Sequence, residues 1–193
     1  MADTLLLLSG GLDSVVLAET LRAQGRLRAA VHFVYPHPAQ SYERRAVHRL
    51  VRRWHMAGDA TPVKELLLNL WASELATGAG TKGPRIVPAR NLALLAMAAN
   101  MAPSMGATRL AFGATREDLA SYADCRPGYF ETLNELLAPF KVEVVAPFLD
   151  YDREQIAQMA AGFGLSGEDW WSCYEPVNGS ACGFCDSCRQ GAP

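Results

Sequence analysis

Two groups of residues in this 193-residue chain have types and spacings suited to chemistry. The first is Ser9-Gly10-Gly11-Leu12-Asp13-Ser14, which follows the apolar run Thr4–Leu8. Val15, Val16, Leu17, Ala18 and Leu21 continue after it at helical spacing, and Gly25 ends the pattern. A buried strand, a two-glycine turn and a helix start, in that order, make an anion site. Adjacent glycines let successive N–H groups converge, and the helix dipole adds positive potential. Ser9 and Ser14 offer hydroxyls to phosphate oxygens, and Asp13 is placed to cap the helix or to hold Mg²⁺ beside the phosphates. An ordinary capped strand-to-helix turn is the alternative, and the complete S-G-G-x-D-S string favours phosphate. The chain has no G-K-[ST], so this is not a Walker A loop.

The second group is Cys173, Cys182, Cys185 and Cys188, with eight, two and two residues between successive cysteines. Four thiolates in this pattern wrap one tetrahedral Zn²⁺, and with every ligand supplied by protein the metal is structural. The segment from Trp170 onward has no periodic pattern, so metal binding also supplies its order. Two disulfides are the alternative, as is a redox pair at Cys185 and Cys188, which lacks the strand-then-helix setting of that motif. A third string, Gly78 to Gly83, fits G-x-G-x-x-G but follows no clear strand and is followed by Pro84. It reads as a loop and not as a dinucleotide fingerprint.

The elements that must position these groups alternate along the chain. Strands are expected at Thr4–Leu8, Arg28–Tyr35, Arg109–Gly113 and Val142–Val145, and Pro62–Leu68 reads equally as a strand or a helix start. Helices are expected at Asp13–Ala23, Ser41–His55, Ala89–Met105, Gly128–Leu137 and Arg153–Phe163, with a charged loop from Arg116 to Arg126. This is an α/β pattern with a mostly parallel sheet flanked by helices. The division expected is an ATP-binding domain over residues 1–169 and a zinc-binding tail over 170–193. Half the residues are hydrophobic, enough for one domain core. A net charge of −2 argues against general nucleic-acid binding. No apolar run approaches the roughly 20 residues of a membrane span, and Met1-Ala2-Asp3 does not open a secretory signal, so the expected setting is the cytoplasm.

S-G-G-L-D-S, V-P-A-R-N at Val87–Asn91, Y-A-D-C-R-P at Tyr122–Pro127 and W-S-C-Y at Trp171–Tyr174, followed by C-G-x-C-x-x-C, occur in one order. The first string resembles the PP-loop of the adenine nucleotide alpha hydrolase-like ATP pyrophosphatases. The whole set resembles the QueC (ExsB) family of 7-cyano-7-deazaguanine synthases over nearly the entire chain. The resemblance implies an ATP-dependent carbon–nitrogen ligase. A 7-carboxy-7-deazaguanine carboxylate attacks ATP to give an acyl-adenylate, ammonia gives the amide, and a second activation with loss of water gives the nitrile used in queuosine biosynthesis. ATP, Mg²⁺ and Zn²⁺ are the implied cofactors, and a homodimer is suggested.

By matching motif, Ser9, Gly10, Gly11, Leu12, Asp13 and Ser14 hold the phosphates, and Arg90 and Asn91 open a helix from which the guanidinium meets phosphate or carboxylate. Tyr122, Asp124 and Arg126 are the residues expected in the deazaguanine pocket, Asp124 on the base edge and Arg126 on the carboxylate, and Cys125 reads as a buried thiol. Catalytic roles then fall to Asp13, Ser14, Arg90 and Arg126. Departures from the family pattern lie at residues 34–40 and 115–121, at Arg153 where a lysine is usual, and after Cys188. They leave open an enzyme that stops at the amide or joins the activated carboxylate to another amine. A PP-loop enzyme that adenylates tRNA would call for a basic face, and a zinc-ribbon interaction module would not need the intact phosphate loop.

Overall fold

Strand-forming and helix-forming runs alternate in the chain, and a computed structural model, which describes residues 1–68, 87 and 89–189, assembles them as that alternation requires. The strands are β1 (Thr4–Leu7), β2 (Leu27–Val34), β3 (Val63–Leu67), β4 (Arg109–Ala111) and β5 (Glu143–Val145). They form one sheet in the order β3-β2-β1-β4-β5, and every neighbouring pair is parallel. The ambiguous stretch around residues 62–68 is therefore a strand, fixed by pairing with β2 from Val63 to Leu67. The string at Gly78–Gly83 lies outside the described residues.

Helices cover both faces, as parallel sheets require. Leu6 and Leu8 point to one side, where α1 (Leu12–Ala23), α2 (Gln40–Met56) and α6 (Arg153–Gly162) bury Val16, Leu50, Trp54 and Ile156. Leu5 and Leu7 point to the other, against α3 (Arg90–Met101) and α5 (Pro127–Leu137), which bury Leu95, Ala98, Phe130 and Leu133. The period of two along β1 thus feeds two separate cores.

Three boundaries differ from sequence expectation. The helix expected from Ala89 to Met105 ends at Met101 and closes in a 3₁₀ turn, Pro103–Met105, because proline cannot continue the ladder. The loop expected from Arg116 to Arg126 is mostly helical: α4 (Arg116–Ser121) is followed by a 3₁₀ turn at Ala123–Cys125. The cause is a capping box, with Thr115 as cap and the Asp118 carboxylate accepting from the Thr115 amide at 2.9 Å. The aperiodic tail ends in one helical turn, α7 (Asp186–Arg189). Among the described residues no helix is long and apolar enough to cross a membrane.

Candidate active site and metal centre

The chain leaves β1 toward β2 on one side and enters β4 on the other, so the sheet order reverses at the β1–β4 junction. Open α/β sheets bind ligands outside the carboxyl ends of strands at this point. The segments leaving those strands meet there. A Cβ on Gly113, just after β4, would lie 3.2 Å from the Ser14 amide, and one on Gly10 would lie 2.6 Å from the Glu43 carbonyl oxygen. Gly10 also has φ +92°, a conformation that only glycine adopts freely.

Inside the loop one hydroxyl chain sets the geometry. The Gly10 amide donates to Ser14 Oγ at 3.1 Å, and Ser14 Oγ donates to the Gly11 carbonyl at 2.9 Å. Ser9 Oγ stands 2.9 Å from Ser14 Oγ and accepts from the Gly11 amide at 3.2 Å. The amides of Leu12, Asp13 and Ser14 open the first turn of α1, where no intrahelical acceptor exists. Behind the loop, His32 Nδ1 meets the Leu8 carbonyl at 2.8 Å, which fixes the exit of β1.

A cavity of about 220 Å³ opens on this loop. Its wall includes Ser9, Gly11, Asp13 and Ser14, and opposite them Arg90 and Asn91 from α3, Glu117 and Asp118 from α4, and Arg153 from α6. Asp13 Oδ1, Glu117 Oε2 and Arg153 Nε and Nη1 are buried without hydrogen-bond partners, although the Arg153 amide donates to Glu117 Oε1 at 3.1 Å. Buried polar atoms are normally paired, so a group of unpaired ones on a cavity wall is shaped for a ligand that brings the missing partners. Burial pushes the Asp13 carboxyl up to about 6. Arg153 opposes that rise, and Asp118 and Glu117 reinforce it.

The tail supplies the remaining wall with Trp171, Ser172, Tyr174, Asp186 and Ser187. Tyr122 lies beside Tyr174 there, and Tyr35 beside Arg90. The structure therefore brings the phosphate loop, Arg90, Asn91 and Tyr122 around one cavity. Asp124 and Arg126 are not in its wall. Asp124 is half-buried within the Ala123–Cys125 turn, and the exposed Arg126 Nε donates to the Leu119 carbonyl at 3.2 Å. Cys125 does reach the wall but is buried, and burial pushes its thiol up to about 12, which fits an inert thiol. Glu117, Asp118, Asp186 and Ser187 were not singled out from sequence. The first two carried a legible signal in Thr115-x-x-Asp118, while the other two sit between cysteines that draw attention to the metal alone.

The four tail cysteines converge, with ligand atoms all within 4.8 Å of one another. Cys182 Sγ and Cys188 Sγ are 3.9 Å apart, close to the ~3.8 Å edge of a tetrahedron with metal–sulfur bonds of about 2.3 Å, and far from the roughly 2.05 Å of a disulfide. The amides of Phe184 and Cys185 donate to Cys182 Sγ at 3.4 and 3.3 Å, and the Cys182 amide donates to Cys173 Sγ at 3.2 Å. Burial raises the Cys182 thiol, but those amides outweigh it and bring it down to about 7. Preorganised sulfurs with N–H donors fit a metal ion.

Comparison with known proteins agrees with this arrangement. The family model described as queuosine biosynthesis protein QueC matches residues 3–192. A 7-cyano-7-deazaguanine synthase of Chlorobium phaeobacteroides is 33% identical over 94% of this chain and 87% of its own length. One from Novosphingobium aromaticivorans is 35% identical over 95% and 85%. Among solved structures, the U34-tRNA thiolase NcsA from Methanococcus maripaludis, with its [4Fe-4S] cluster, superposes with a TM-score of 0.58 at 15% identity. It covers 95% of this chain, which spans 62% of that one, and the likeness is one of fold.

Two outcomes follow from the loop. Gly10→Ala forces a side chain into both a left-handed conformation and the Glu43 carbonyl, so it should destabilise the chain by at least about 2 kcal/mol in a denaturant titration and abolish nucleotide binding. For Asp13, a folded pKa of about 6 against 3.8 means that the penalty for its charge is absent below about pH 4 and complete above about pH 7. Asp13→Asn should therefore stabilise the ligand-free chain by up to about 3 kcal/mol at pH 8 and hardly at all at pH 4, while it impairs ATP use. Equal melting shifts at both pH values would contradict the buried, unpaired carboxylate.

Proposed function

We propose, for a chain that belongs to the QueC family of queuosine biosynthesis proteins, that it is an ATP-dependent carbon–nitrogen ligase converting 7-carboxy-7-deazaguanine and ammonia to 7-cyano-7-deazaguanine. The observation that carries this reading is the cluster of unpaired buried atoms of Asp13, within the Gly10–Ser14 loop, and of Glu117 and Arg153 on the same cavity wall at the sheet's switch point. A carboxylate does not acylate ammonia until it carries a good leaving group, and adenylation supplies one. The carboxylate oxygen attacks the α-phosphorus, the bond to the bridging oxygen breaks, and pyrophosphate departs with the electron pair. Ammonia then adds to the acyl carbon and AMP leaves, giving the amide. A second adenylation, on the amide oxygen, lets AMP carry that oxygen away as the nitrile forms.

Each step expels a phosphate-centred anion, so the loop contributes most where its donors meet charge that grows in the transition state. The first-turn amides of α1 and the Ser9 and Ser14 hydroxyls receive the pyrophosphate. Arg153 supplies the fixed cation beside it, and Arg90, next to Tyr35 in the cavity wall, faces the reacting carboxylate or α-phosphate. Asp13 and Glu117 have the oxygen ligands that Mg²⁺ prefers, and the ion, when bound, neutralises phosphate charge. We assign Zn²⁺ to the four cysteines as a structural ion and treat residues 170–193 as a metal-dependent tail on the ATP-binding domain of residues 1–169.

Incubation with ATP, Mg²⁺, ammonia and 7-carboxy-7-deazaguanine should release two AMP for each nitrile. One AMP for each amide would identify an enzyme that stops halfway, and no AMP would refute the reading. For the tail, Cys185→Ser should lower zinc content and solubility together. A metal-free chain of normal stability, or a visible iron–sulfur absorbance in place of zinc, would overturn the structural-zinc assignment.

A further inference from the structure

Five carboxylates line the cavity, from Asp13, Glu43, Glu117, Asp118 and Asp186. Four of them have evident employment. Asp118 Oδ2 takes the amide and hydroxyl of its own helix cap, Thr115. Glu117 Oε1 takes the Arg153 amide, and Glu43 pairs with His37 at 3.3 Å. Asp13 stands in the phosphate loop. Asp186 is different: it has neither a hydrogen bond nor an ion pair among the described residues, and it lies on the tail side of the cavity, near enough to Tyr122 to act on its hydroxyl.

Its place in the tail is set by the cysteines on either side. Asp186 and Ser187 are the two residues between Cys185 and Cys188, and Ser187 is 5% exposed. A metal held by the flanking thiolates would clamp both ends of this dipeptide, so the carboxylate is presented to the cavity by the metal site itself. The neighbouring wall is aromatic and apolar, with Phe33, Leu94, Tyr122 and Tyr174, which suits a planar heterocycle.

We infer that Asp186 is the specificity-determining residue that reads the base edge of the substrate, accepting two parallel hydrogen bonds from the ring N–H and the exocyclic amine of the deazaguanine. This rests on the function proposed above and gives the tail a second task beyond holding its metal. A carboxylate matches such a paired-donor edge as it matches a guanidinium, with two short charge-assisted bonds. It also rejects a ring that lacks the amine, because an acceptor oxygen would then be left unpaired in the cavity. The phosphate end, built from Ser9–Ser14, is untouched by this choice.

The test compares 7-carboxy-7-deazaguanine with the same acid lacking its 2-amino group. Each is read by calorimetric binding without ATP and by AMP release with it. The wild-type enzyme should prefer the aminated acid by about 100-fold or more. Asp186→Ala should lose that preference, chiefly through KM for the aminated acid, with KM for ATP and the zinc-to-protein ratio unchanged. Asp186→Asn, which keeps the shape but sets a donor against a donor, should lose it too. Retained preference in Asp186→Ala, or an equal loss for both acids, overturns the assignment and leaves the proposed function standing. Loss of zinc in both variants also overturns it, since Asp186 would then serve the metal frame. A wild-type enzyme that turns over neither acid refutes the proposed function, and this assignment with it.

Discussion

The Trp171 amide donates to the Gly10 carbonyl at 2.9 Å, and much of the molecule depends on that bond. It joins the tail to the phosphate loop across 161 residues of sequence. Gly10 can face Trp171 in this way because its φ is +92°, and Trp171 stays there because its ring stacks on Tyr42 at 4.3 Å while its Nε1 donates to the Cys173 carbonyl at 2.8 Å. Arg45 also lies over the Tyr42 ring, 4.4 Å from its centre. One strand–helix turn, one surface helix and one cysteine cluster are thereby locked into a single geometry.

What the lock surrounds is electrostatically costly. Asp13, Glu117, Asp118 and Arg153 crowd the switch point of a parallel sheet, and several of their atoms are buried unpaired. Hydrophobic packing on both sheet faces offsets that cost, from Leu6, Val16, Leu50 and Trp54 on one side and Leu5, Leu95, Phe130 and Leu133 on the other. Sites for transferring phosphate-centred groups trade stability for a preorganised field in this way. Under the proposed function these groups stand where substrate charge would develop, and substrate would supply their missing partners.

Much of this was legible in the sequence because local patterns carried it. The phosphate loop and the cysteine cluster are contiguous strings, and strand–helix alternation announced the parallel sheet. Pro103 ended a helix where an unbroken Ala/Leu/Met run suggested continuation, and the Thr115–Asp118 capping box made helix where charge suggested loop. The cavity wall away from the glycine turn was the least legible part. Asp124 and Arg126 are chemically suitable, but which way a 3₁₀ turn faces depends on packing of Cys125 and Phe130 beneath it, and that is not written in the turn. Asp186 and Ser187 were hidden for the opposite reason, since they sit inside a motif already explained by metal.

The reach of the Trp171–Gly10 joint also sets a timetable for biosynthesis. The glycine turn is made 161 residues before its partner. At about 5–20 residues per second, the nascent chain carries the glycine turn for roughly 10–30 s before Trp171 exists to fasten it. All four clustered cysteines, Cys173 to Cys188, follow Trp171, and Asp186 and Ser187 among them complete the cavity wall. The cavity wall therefore closes only after the core strands and helices have been made, and a chain interrupted between Trp171 and Cys188 has most of its core and an unfinished wall.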